Sequence, residues 1–157
     1  MAAGLTWYFA YGSNMNVARL LDGRLAQKGV AMGARIGGRL DGWQLAFNKI
    51  RQDKGSGAGN ILVAPGKVVH GTLNALPDAG FDVLDVWEGV AAGHYERRTL
   101  PVVRADTGET VEAIAYVALL VDEGLKPTRE YLGHLLAGRD LLPADYWAWL
   151  ETTPTLD

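Results

Sequence analysis

Glu88 stands in the run DVWEGVAAGHYERR, at the end of an expected helix and directly before Gly89, a natural helix C-cap. A carboxylate there faces the negative end of the helix dipole, which costs roughly 0.3–1 kcal/mol. Its neighbours Trp87, Val90 and Ala91 are apolar and can withdraw it from water. Both effects favour the protonated form and raise the pKa towards the range useful for proton transfer near neutrality. The competing reading is an ordinary solvated glutamate at a helix end. A second candidate is WYFAYGSNM, residues 7–15, in which a strand-forming aromatic run stops at Gly12-Ser13. Asn14 then reads as the N-cap of a helix carrying Met15, Ala18, Arg19, Leu21 and Leu25. A corner with almost no side chain lets a ligand approach bare backbone N–H groups, where a helix N-terminus favours negative charge. A tight turn in which Gly12 merely supplies an unusual φ is the plainer alternative.

Other chemistries find little support. The chain has no cysteine, which excludes disulfides, thiol nucleophiles and cysteine-ligated metal centres. His70, His94 and His134 lack metal-ligand spacing, so no metal site is expected. Ser13 has no Gly-x-Ser-x-Gly surround, and GKVVHG lacks the spacing of a phosphate-binding loop.

The elements that must position these residues can be read from pattern. A strand over Trp7–Tyr11 and a helix are followed by a glycine-rich run, Gly29 to Phe47, with a bend or bulge expected near Gly42. Residues 48–59 are polar and glycine-rich and read as a mobile surface loop. Two strands are expected around Ile61–Ala64 and Val68–Leu76, joined by a turn at Pro65-Gly66. Pro77-Asp78 opens a helix with Phe81, Leu84, Trp87 and Val90 on its apolar face. A hairpin over Tyr95–Arg104 and Val111–Val121 precedes two short helices, Thr128–Ala137 and Pro143–Leu150. The expected architecture is one α+β domain over 1–157, a small mixed sheet curled or closed into a barrel and flanked by helices.

A net charge of −3 and no basic run argue against nucleic acid as a partner. No signal-peptide pattern or membrane-length apolar run is present, so a cytoplasmic protein without membrane contact is expected.

Taken together, YFAYGSNM (Tyr8–Met15) and EGVAAGHY (Glu88–Tyr95) resemble the two signatures of the γ-glutamylcyclotransferases. KPTREY (Lys126–Tyr131) is similar to that family's segment ending in a substrate-contacting tyrosine. The resemblance implies intramolecular aminolysis, in which a γ-glutamyl amine attacks its own δ-carbonyl to give 5-oxoproline and a free amine. It implies Glu88 as the acid/base residue, with Tyr8, Phe9, Ala10, Tyr11, Gly12 and Ser13 as the loop that holds the glutamyl moiety. Tyr131 would contact the substrate, and no metal or other cofactor is implied. Tyr-Gly-Ser-Asn at the corner leans towards the γ-glutamyl-amino-acid branch, because the glutathione-specific branch typically carries Tyr-Gly-Ser-Leu. His94 is expected to be structural or on the surface, and Tyr95 and Gly93 to serve strand entry and packing. A homodimer is the one self-association allowed for. A non-catalytic binding domain on the same fold, or removal of a γ-glutamyl protecting group from a biosynthetic intermediate, are the alternative functions.

Overall fold

Five strands close into a barrel in the order β1-β3-β2-β4-β5. The computed structural model describes residues 1, 3–53 and 55–157. The strands are β1 (Leu5–Ala10), β2 (Arg35–Ile50), β3 (Gly57–Pro77), β4 (Tyr95–Arg104) and β5 (Thr110–Ala118). Four of the five pairings are antiparallel, and a short parallel pairing of β1 with β5, Trp7 opposite Ala113 and Tyr8 opposite Ile114, closes the barrel. The expected α+β barrel is therefore present.

Strand alternation sorts the apolar residues into two cores. Trp7, Phe9, Leu40, Val69, Leu73, Leu100, Val102, Ala113 and Ala115 fill the barrel. Tyr8, Ala10, Leu76, Tyr95 and Tyr116 point outward against the helices. Those helices are α1 (Asp78–Trp87), α2 (Arg129–Leu136) and α3 (Ala144–Glu151), together with a π-helix over Ala18–Leu25. Among the described residues no helix is long and apolar enough to cross a membrane.

Three expectations need correction. The strands proposed either side of Pro65-Gly66 are one continuous strand. Asp41 pairs with Val68 and Trp43 with Val63, so Gly42 alone lies opposite residues 64–67. Gly42 (φ +84°) and Gly66 (φ +82°) let both strands bend there together, at the bend expected near Gly42. Half of the segment 48–59 is strand rather than surface loop. β2 runs to Ile50, β3 begins at Gly57, and Ser56, Ala58 and Asn60 are buried. Trp87 is 53% exposed and leaves the apolar face of α1, which rests on Phe81 and Leu84 with Val83 and Val90 partly buried beside them.

Candidate active site

A second bulge in the β2–β3 hairpin prepares the site. Ala46 pairs with Asn60 and Lys49 with Ala58, leaving Gly59 opposite both Phe47 and Asn48. Freed from the ladder, its peptide groups are taken by two phenols. The Gly59 N–H donates to the Tyr131 hydroxyl (2.8 Å), and the Tyr95 hydroxyl donates to the Gly59 carbonyl (2.7 Å). A Cβ here would stand 3.3 Å from the Tyr131 hydroxyl and 3.6 Å from Gly12 Cα, so a side chain would crowd that hydroxyl.

Glu88 is the C-cap of α1, and a hydrogen-bonded left-handed turn holds it there. The Gly89 N–H returns to Val86 (3.2 Å), the Val90 N–H returns to Asp85 (3.0 Å), and Gly89 takes φ +65°. Only 17% of the Glu88 side chain is exposed. Burial raises its pKa above the usual carboxylate range, against the opposing pull of Arg24, Arg19 and Lys49. Arg24 is nearest, its Nη1 lying 3.8 Å from Glu88 Oε1. The guanidinium comes from the π-helix and lies over the Trp87 ring, 4.9 Å from its centroid.

Arg24 also ties Glu88 to the first signature. Its Nη1 donates to Asn14 Oδ1 (2.8 Å), and Asn14 Nδ2 donates to the Tyr8 hydroxyl (3.0 Å). Asn14 is thus not the expected helix cap. Both ends of its buried amide serve this relay, while Asn16 Oδ1 accepts the Ala18 N–H (3.2 Å) at the π-helix start. The element after the corner is a single 3-10 turn, Ser13–Met15, too short to carry a helix dipole. The donors for an anion at this corner come from the backbone itself. The Met15 N–H bonds the Gly12 carbonyl, whereas the N–H groups of Gly12, Ser13 and Asn14 take no backbone acceptor among the described residues.

These parts meet in a cavity of about 40 Å³ lined by Tyr8, Tyr11, Gly12, Ser13, Glu88 and Tyr131. It adjoins a wider cleft of about 540 Å³ that also reaches Ser13, Glu88 and Tyr131. Burial raises the pKa values of Tyr8, Tyr11, Tyr95 and Tyr131, with the Glu88 charge adding to the rise, so all four stay neutral hydroxyl donors. Tyr11 donates to the Tyr116 carbonyl and Tyr95 to that of Gly59. The hydroxyls of Tyr8 and Tyr131 accept bonds but donate none among the described residues. Two phenolic donors are thus left beside a carboxylate that is largely withdrawn from water.

Phe9 and Ala10 depart from the expected substrate loop. Neither lines the cavity. Strand alternation turns Phe9 into the barrel interior, where it is wholly buried, and Ala10 packs under the helices. Arg24, Lys49 and Gly59 were not legible as site residues, since nothing local in the sequence marks where they point. His94 stands at the cleft, its Nδ1 accepting from Lys49 Nζ (2.8 Å). Among the described residues no three histidine, aspartate or glutamate side chains form a group able to hold a metal ion.

A family model described as AIG2-like matches residues 68–150, more than half of the chain. The chain belongs to the AIG2-like family. This AIG2-like chain shares its fold with a solved gamma-glutamyl cyclotransferase at 23% identity and a TM-score of 0.83, covering 98% of this chain and 90% of that one. An uncharacterized protein from Homo sapiens has 25% identity and a TM-score of 0.84 over the same shares of the two chains. A yeast gamma-glutamyl cyclotransferase specific to glutathione is more distant, at 11% identity and a TM-score of 0.61 over 94% of each chain. No curated protein matches this AIG2-like sequence.

Proposed function

We propose that this chain is a γ-glutamylcyclotransferase acting on a small γ-glutamyl amine or amino acid, with Glu88 as its general acid and base. The observation that carries the reading is the pairing of a largely desolvated, pKa-raised carboxylate with the uncommitted hydroxyls of Tyr8 and Tyr131 in one small cavity. The fold shared with a gamma-glutamyl cyclotransferase supports it.

The reaction is an internal transfer. The α-amine forms a bond to its own δ-carbonyl carbon, the amide bond to the leaving amine breaks, and no water is consumed. An ammonium cannot attack, so Glu88 first takes one proton. In becoming the lactam N–H, the nitrogen loses a second proton. Both end on the leaving amine, each carried by the same carboxylate. A base inside the cavity whose pKa lies above the ordinary range suits both directions of transfer.

Negative charge develops on the δ-oxygen during attack. The Tyr8 and Tyr131 hydroxyls and the bare N–H groups at Gly12 and Ser13 supply donors to that oxygen and to the substrate carboxylate. Binding the glutamyl chain curled, amine against carbonyl, supplies further acceleration through orientation. Incubation with a panel of γ-glutamyl compounds, glutathione included, with mass detection of 5-oxoproline tests the reading. Release of 5-oxoproline from at least one supports it, and none from any member rejects it.

A further inference from the structure

The wide cleft outside the small cavity carries more positive charge than the proposed chemistry uses. Arg19, Arg24, Lys49 and Arg51 line it, against the carboxylates of Glu88 and Asp53. Arg24 is committed to Glu88 and Asn14. Asp53 is turned back into its own loop, accepting from the Ser56 hydroxyl (2.6 Å) and from the N–H groups of Gly55 and Ser56. Arg19, Lys49 and Arg51 are left, and among the described residues none of them is ion-paired.

Each is held at the cleft by uncharged contacts. Lys49 is 6% exposed and donates to His94 Nδ1, with the Tyr95 ring 5.6 Å from its Nζ. Arg51 lies over the Tyr131 ring, 5.1 Å from its centroid. Arg19 reaches the His134 ring (Nη1 to Nε2, 3.3 Å), while its Nε is buried with no hydrogen-bond partner. Burying cationic groups without counter-ions is costly, and a ligand that supplies the missing charge recovers that cost.

We infer that the cleft binds the leaving amine through acidic groups on it, and that the preferred leaving group carries two negative charges. Its chemical class is an amine bearing two acids, such as an acidic amino acid. A single carboxylate answers one of three unpaired cations, and a second lies within the remaining positive charge. The inference rests on the cyclotransferase reading above, since the cleft becomes a leaving-group site only if the small cavity holds the γ-glutamyl head. Arginine pairs with carboxylates through two parallel N–H donors, and Arg19 and Arg51 offer such forks.

The test compares γ-glutamyl-glutamate, γ-glutamyl-alanine and γ-glutamyl-propylamine as substrates of the full chain, reading 5-oxoproline at 20 mM and at 300 mM salt. The expected order of kcat/KM is glutamate over alanine over propylamine, with roughly 10-fold or more per charged contact. Salt should compress the series. Arg51→Gln and Arg19→Gln should each narrow the gap between the acidic and alanine substrates, through KM more than kcat. Equal kcat/KM for all three substrates, with 5-oxoproline released from each, overturns this inference and leaves the cyclotransferase reading standing. No 5-oxoproline from any of them overturns both. A preserved order in a double Arg19→Gln, Arg51→Gln protein that still melts cooperatively also overturns the assignment to these residues.

Discussion

Arg24 Nη1 lies 2.8 Å from Asn14 Oδ1 and 3.8 Å from Glu88 Oε1, so one guanidinium joins the two signature segments of the chain. It fixes the Asn14 amide that donates to Tyr8, and its charge opposes the rise in the Glu88 pKa. Replacing it with glutamine removes that opposition, so the Glu88 pKa should climb further. The acid limb of the kcat/KM profile should then move to higher pH, with a larger loss at pH 6 than at pH 8. A pH–rate profile of Arg24→Gln checks this, and an unshifted limb would separate Arg24 from the titrating group.

Tyr131→Phe should affect both stability and binding. The substitution leaves the buried Gly59 N–H without its acceptor, at a cost of about 1–3 kcal/mol, and removes one of the two uncommitted donors. In a chain of this size the melting temperature should fall by about 2–4 °C per kcal/mol. The Michaelis constant should rise with it. Calorimetry and steady-state kinetics on one preparation measure both effects, and unchanged stability would contradict the role given to the Gly59 bulge.

Glycines at the site and in the barrel should respond differently. At Gly12 a Cβ would meet only the Tyr131 hydroxyl, at 3.3 Å, so Gly12→Val should fold and lose substrate binding. At Gly71 a Cβ would overlap the Ala10 carbonyl and lie 2.9 Å from the Phe9 ring, so Gly71→Ala should unfold or melt far lower. Soluble yield and thermal melting separate the two outcomes. Unaltered kinetic constants in Gly12→Val would make the corner a simple turn.

The barrel and α1 were legible because hydrophobic alternation, Pro77, Gly89 and the hairpin of Tyr95–Arg104 with Val111–Val121 all announce themselves locally. Glu88 was legible through the glycine behind it. The rest of the site depends on contacts between distant segments. Asn14 carries the preference of a helix cap, and only the approach of Arg24 and Tyr8 turns its amide to a different use. Gly59 sits in what reads as loop composition, and its role follows from a bulge two residues wide on the facing strand. Strand alternation could have warned that Phe9 and Tyr8 face opposite ways.

The stability of Glu88→Gln should depend on pH with a definite sign. The folded state raises the Glu88 pKa, so the neutral form fits it better than the charged one. The parent therefore loses stability as pH rises through that pKa, and glutamine, being neutral, does not. The variant should melt higher than the parent at neutral pH, with the difference shrinking as pH falls through the raised folded-state pKa and gone below the unfolded glutamate's pKa, about 4.3. Melting curves of both proteins from pH 4 to pH 8 check the sign.

The same substitution tests the central claim most directly, through 5-oxoproline release by Glu88→Gln measured beside γ-glutamyl ligand binding to the same protein. Glutamine keeps the shape of the side chain but cannot take the ammonium proton. The variant should still bind the ligand, while turnover falls by about 10²–10⁴-fold or more, because one group serves both proton transfers. A folded, ligand-binding Glu88→Gln protein that releases 5-oxoproline at near the parental rate would contradict the account.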